Sequence, residues 1–157
     1  MSGISACVGI VVTGGSVTGI SDDGIVVAGV VVVVGFGAGV VVVVAMTLML
    51  VSNYDVIKRH HETTAGHFHQ YVGEQMYGKT LGIVGFGWIG QRLARLVMPY
   101  GMRVLAYDPY PNPQAAFALD LEYVSLDELL KESDFVSVHI PGTPENYHLF
   151  NDATFAK

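Results

Sequence analysis

Leu81-Gly82-Ile83-Val84-Gly85-Phe86-Gly87-Trp88-Ile89-Gly90 is the stretch whose reading decides the fold. Leu81, Ile83 and Val84 make the short apolar run that a parallel strand buried on both faces requires, and a GxGxxG turn follows at once. From Ile89 to Met98 the apolar residues Leu93, Ala94, Leu96, Val97 and Met98 recur at helical spacing. Pro99-Tyr100-Gly101 stops that helix, Met102 to Tyr107 reads as a second strand, and Asp108 closes it. The unit is therefore strand, glycine turn, helix, strand and acid.

Each position has a physical task if the ligand is a dinucleotide. Gly85 permits the tight turn, Gly87 lets backbone approach a pyrophosphate, and Gly90 lets the helix pack closely on the strand. The free N–H groups at Trp88 and Ile89 face the phosphates with the positive end of the helix dipole behind them. Asp108 lies eighteen residues after Gly90, close to the roughly 20 expected of an acid that accepts from the adenosine ribose hydroxyls. A 2′-phosphate there would meet a like charge, so NAD is expected over NADP, and Asp108→Ala is expected to weaken NADH while leaving the fold intact. The competing reading makes the glycines a packing device only.

Downstream, strand and helix keep alternating. Pro109-Tyr110-Pro111 is a turn, Asn112 caps a short helix with Pro113 at its first position, and Glu122-Tyr123-Val124 is a brief third strand. Ser125 and Glu128 form a capping-box pattern for a helix through Lys131, and Phe135 to His139 is a fourth strand. This alternation implies an α/β, Rossmann-like doubly wound parallel sheet with right-handed crossovers in the order 3-2-1-4. Its ligand crevice lies where the first and fourth strands end.

Residues 78–157 closely resemble the cofactor domain of the D-isomer-specific 2-hydroxyacid dehydrogenases, the group that includes phosphoglycerate and D-lactate dehydrogenases. The resemblance is carried by Tyr77 through Gly87, by Tyr107-Asp108-Pro109, by Leu126 through Leu130, and by His139-Ile140-Pro141-Gly142-Thr143-Pro144-Glu145. Trp88 departs from it, because the family more often has Arg or a small polar residue there. The resemblance implies NAD as cofactor, a small 2-hydroxy or 2-keto acid as partner of the intact enzyme, a homo-oligomer, and a cytoplasmic setting. It assigns His139, Ile140 and Pro141, with Asn146 a weaker candidate, to the nicotinamide-side ribose, and it leaves His148 structural. In the family an Arg holds the substrate carboxylate and a His backed by an acid moves the proton, all beyond the fourth strand. No residue of this chain matches them, so no catalytic residue is named and the chain is expected to be the incomplete NAD-binding part of a dehydrogenase, without turnover alone. The alternative is a non-catalytic nucleotide-binding or interaction module, tethered to a membrane if residues 24–51 insert.

Composition divides the 157 residues unevenly. Residues 1–51 carry only Asp22 and Asp23 as charges, while twelve acids and all eight Lys and Arg follow. A net charge of −6 with both signs mixed offers no basic patch for nucleic acid. Cys7 is the single cysteine, which excludes an internal disulfide and fits a reducing cytosol. Gly24 to Val51 runs twenty-eight residues without a charge, long enough for a membrane span, but five glycines among β-branched valines disfavour a helix. Residues 1–44 read as a valine- and glycine-rich remnant of a substrate domain, with strands near Gly9–Val12 and Val26–Val30, and residues 45–77 as a connecting helix and loop, the helix from Val43 to His61. Ala45-Met46-Thr47-Leu48-Met49-Leu50 closely resembles the family's counterpart of that helix. Gly35-Phe36-Gly37-Ala38-Gly39 lacks the third glycine of a phosphate turn. His60, His61, His67, His69 and Glu62 suggest metal ligands only superficially, since Thr63-Thr64-Ala65-Gly66 ends the helix between them. Stopping a parallel sheet at its fourth strand is expected to leave an open edge that promotes self-association.

Overall fold

In the computed structural model, residues 8–13, 30–34, 38–70, 75–141, 146, 149–151 and 154 are described, with side chains from residue 41 onward. The strands are β1 (Val8–Thr13), β2 (Val30–Val34), β3 (Thr80–Val84), β4 (Arg103–Tyr107), β5 (Glu122–Tyr123) and β6 (Phe135–Val138). The helices are α1 (Ala38–Asn53), α2 (Val56–Thr64), α3 (Trp88–Val97), α4 (Pro113–Ala118) and α5 (Leu126–Glu132). One six-stranded sheet runs β2-β1-β6-β3-β4-β5. Its parallel part, β5-β4-β3-β6, is the expected 3-2-1-4 order.

The local chemistry explains the elements. β3 is buried along its whole length, as its apolar run requires. α3 buries Gly90, Leu93, Ala94 and Val97 on one face, passes into a 3-10 turn at Met98–Tyr100, and ends at Gly101, whose φ of 70° suits glycine. The Asn112 side chain accepts from the Ala115 N–H at 3.1 Å, and Ser125 Oγ accepts from the Glu128 N–H at 3.2 Å. Both caps stand where the sequence places them.

Helices cover both faces of the sheet. On one face α1, α3 and α4 share a core that includes Met46, Met49, Leu81, Ile83, Leu93, Val97 and Leu119. On the other, Leu129 of α5 packs with Val84, Leu105, Val136 and Val138. Gly82 lets α5 sit down on β3, because a Cβ there would run into both Leu129 Cδ2 and Ser133 Oγ.

Two expectations for the first half change. Val40–Val44 is helical, inside α1, because Val41, Val42, Ala45, Met46 and Met49 are buried against the core; tertiary packing outweighs the weak helix propensity of valine. The helix expected from Val43 to His61 starts at Ala38 and is interrupted at Asp55, whose φ of 49° is left-handed, so α1 and α2 are bent by 56°. No single helix among the described residues is long and apolar enough to cross a membrane, although that bent pair passes on length and composition. The described residues of the charge-free stretch fall in β2 and α1.

The edge beyond β6 is also not open. β1 pairs with β6 antiparallel, Val11 opposite Ser137, and β2 continues antiparallel from β1. The strand near Gly9–Val12 is thus present, while the one expected at Val26–Val30 falls mostly outside the described residues, as do Cys7, His148 and residues 35–37 and 142–145.

Candidate functional site

The end of β3, the start of α3 and the ends of β4 and β6 converge at one place. Gly85 has φ of 92°, and a Cβ on it would lie 2.8 Å from the His139 carbonyl carbon and 3.0 Å from Ile140 Cγ2. Glycine is needed there both for the turn and for the approach of the segment leaving β6. A Cβ on Gly90 would lie 2.7 Å from the Gly85 carbonyl oxygen and 2.9 Å from Ile83 Cγ2, so Gly90 sets the distance between α3 and β3. Gly87 differs from both, since a Cβ there would meet nothing within 4 Å among the described residues. Two glycines are packed by protein, and the middle one faces space that no described residue fills.

That open space is lined by donors. The first backbone bond of α3 runs from Gln91 N–H to the Gly87 carbonyl at 3.0 Å, which leaves the N–H groups of Trp88, Ile89 and Gly90 ahead of it. The first turn has no acidic residue and Gly87 supplies no capping side chain. An anion at this helix start would complete those groups, with the helix dipole favouring it.

Phe86 holds the turn rigid. Its N–H donates to Asp108 Oδ2 at 2.8 Å, its carbonyl accepts from Gln91 Nε2 at 3.4 Å, and its ring meets Tyr123 edge-on at 5.8 Å between centroids. Asp108 Oδ1 accepts from the Tyr110 N–H at 2.9 Å. The carboxylate is therefore a clamp on the glycine turn, a role that sequence spacing did not reveal and that adds a stability cost to the expected effect of Asp108→Ala. A carboxylate has about four acceptor positions, so two remain for the hydroxyls of a ribose.

The segment leaving β6 is equally fixed. His139 N–H donates to the Val84 carbonyl at 2.7 Å, Ser137 Oγ and His139 Nε2 lie 2.9 Å apart, and Nδ1 is buried without a hydrogen-bond partner among the described residues. Burial lowers the His139 pKa to about 4, so the ring is neutral at neutral pH. His139 is thus an enclosed residue at the strand end, not an exposed one. Ile140 is half-buried, Pro141 exposed, and Asn146 Nδ2 donates to the Pro141 carbonyl at 2.9 Å. Asn146 braces the segment, which sequence reasoning had treated only as a ligand contact.

The histidines of the connection are not assembled into such a site. The His60 and His61 rings are 5.9 Å apart and tilted, α2 ends at Thr64, and among the described residues no group of three His, Cys, Asp or Glu could hold a metal ion.

Comparison with known proteins matches residues 45–157 to the D-isomer specific 2-hydroxyacid dehydrogenase, NAD binding domain. D-lactate dehydrogenase of Escherichia coli is 44% identical over 113 residues, covering 71% of this chain and 34% of that protein. D-3-phosphoglycerate dehydrogenase of Mycobacterium bovis is 46% identical over 87 residues, covering 55% of this chain and 16% of that protein. Among solved structures, D-lactate dehydrogenase from Aquifex aeolicus complexed with NAD and lactic acid superposes with a TM-score of 0.69 at 30% identity, over 75% of this chain and 36% of that one. The chain spans about a third or less of the length of these relatives.

Proposed function

The chain belongs to the D-isomer-specific 2-hydroxyacid dehydrogenase family and carries its NAD-binding domain, and from that premise we propose that it serves as the cofactor half of an NAD-dependent oxidoreductase acting on the CH–OH group of a small D-2-hydroxy acid. The observation that carries this reading is the division of labour among the glycines: Gly85 and Gly90 are filled by protein, while Gly87 opens onto uncapped N–H groups beside Asp108. Gly85, Gly87 and Gly90 shape the pocket, and the N–H groups of Trp88 and Ile89 take the pyrophosphate. Asp108 takes the adenosine ribose. His139, Ile140 and Pro141, braced by Asn146, border the nicotinamide ribose.

NAD, when bound, supplies the hydride acceptor; this chain's residues orient it and fix its charge pattern. We assign none of the 157 residues to proton transfer or to the substrate carboxylate. In the same reading, residues 78–157 are the binding unit, residues 45–77 lead into it, and residues 1–44 derive from a substrate domain. The setting is cytoplasmic and the assembly a homo-oligomer, with neither nucleic acid nor membrane as partner. The test is a fluorescence titration of the 157-residue chain with NADH and NADPH. Saturable NADH binding at least about tenfold tighter than NADPH supports the reading, and it fails if neither binds or both bind equally.

A further inference from the structure

Arg92 stands one turn inside α3, below Trp88. Its guanidinium carbon lies 3.7 Å from the centroid of the Trp88 ring. Both side chains are exposed, Trp88 at 56%. Helical side chains lean toward the N-terminus, so the stack lifts the charge to the level of the first turn, where the uncapped N–H groups lie.

Two features make the placement informative. A cation near the start of a helix opposes the dipole, which favours anions there and cations at the far end. Among the described residues nothing offsets it: the first turn of α3 contains no acid, and the salt bridges of Lys79 and Arg103 do not include Arg92. The positive field is thus left for a ligand to neutralise, at a turn already shaped for one. Stacking also occupies only the face of the guanidinium. Its edge, with the forked N–H donors that match phosphate oxygens, stays available.

We propose that Arg92, braced by the Trp88 ring, is the side-chain cation that receives the dinucleotide's pyrophosphate, so that phosphate recognition here combines backbone N–H groups with a stacked guanidinium. This rests on the dinucleotide reading above. The Trp88 ring is a positioning group: it holds the guanidinium in place, and the contact of Trp88 with the phosphates is left to its backbone N–H.

The test uses calorimetric titration of the full 157-residue chain with ADP-ribose and with adenosine, and fluorescence titration with NADH, at low and high salt. Arg92→Ala should weaken ADP-ribose and NADH about tenfold, leave adenosine unchanged, and flatten the salt dependence. Trp88→Leu, which keeps the charge and removes the brace, should weaken ADP-ribose about threefold, and the double variant should be no worse than Arg92→Ala. Both side chains are exposed, so melting by circular dichroism should match the parent. Unchanged ADP-ribose affinity in Arg92→Ala, with the parent binding normally, overturns this assignment alone; an equal loss for adenosine also overturns it, by making the role structural. A parent chain that binds neither NADH nor ADP-ribose overturns the dinucleotide reading and this assignment together.

Discussion

Replacing Asp108 should damage two properties at once, by amounts that follow from its contacts. Oδ2 satisfies the N–H of Phe86, a residue only 2% exposed, and Oδ1 satisfies the exposed Tyr110 N–H, which water can reach. Asp108→Ala therefore strands one protected donor, costing roughly 1–3 kcal/mol of stability. For a domain of this size that lowers the melting temperature by about 3–10 °C. The ribose contacts of a charged acceptor add roughly 1.5–3 kcal/mol to binding, so NADH should weaken by about one to two decades. Asp108→Asn separates the two effects. Its amide oxygen can keep the Phe86 bond while its NH2 confronts the Tyr110 N–H, so stability should recover by about 1 kcal/mol and NADH affinity should recover less. Thermal melting and NADH fluorescence on the same preparations read both quantities. Asp108→Ala with an unchanged melting temperature would refute the clamp, and unchanged NADH affinity would remove Asp108 from the cofactor site.

Other outcomes follow from the same geometry. Gly90→Ala places a Cβ 2.7 Å from the Gly85 carbonyl oxygen, so it should cost about 1–3 kcal/mol in a chemical melt; a stability equal to the parent would mean that α3 can move off β3 freely. Because burial lowers the folded-state pKa of His139 to about 4, unfolded His139 takes up a proton before the folded form does. That stabilisation is complete above about pH 6.5 and is lost as pH falls toward 4, by at most about 3 kcal/mol. His139→Gln should remove most of the slope of stability against pH in that window; an identical slope in parent and variant would show that the ring is not buried in solution.

The legible part of the fold is the part coded by neighbours in sequence. The strand, glycine turn, helix and acid from Thr80 to Asp108 lie within thirty residues, and their periods and punctuation each act locally, so reading them in order yields the parallel sheet. Asn112 and Ser125 were legible for the same reason, since a cap bonds three residues ahead. The valine stretches were not. Val30–Val34 and Val40–Val44 are identical runs of five valines, yet one is a strand and the other a helix. What separates them is what each packs against, and no local pattern contains that. The antiparallel pairing of β1 with β6 spans more than a hundred residues and is equally silent in sequence. For the candidate site, spacing singled out Asp108 and the family resemblance singled out His139, but neither could foresee that Asp108 would clamp the Phe86 N–H, or that Ser137 would meet the His139 ring, because both contacts are products of folding.

Gly87→Ala tests most directly whether the glycine turn is a cofactor site or a packing device. The backbone at Gly87, φ −77° and ψ −158°, is open to alanine, and among the described residues the new methyl meets nothing within 4 Å. Melting should therefore shift by less than about 1 kcal/mol, the small preference of a helix N-cap for glycine over alanine. NADH affinity should fall by about tenfold or more, because the methyl occupies the space through which the pyrophosphate reaches the backbone. A Gly87→Ala chain that melts like the parent and binds NADH like the parent would contradict the assignment of that open space to the cofactor.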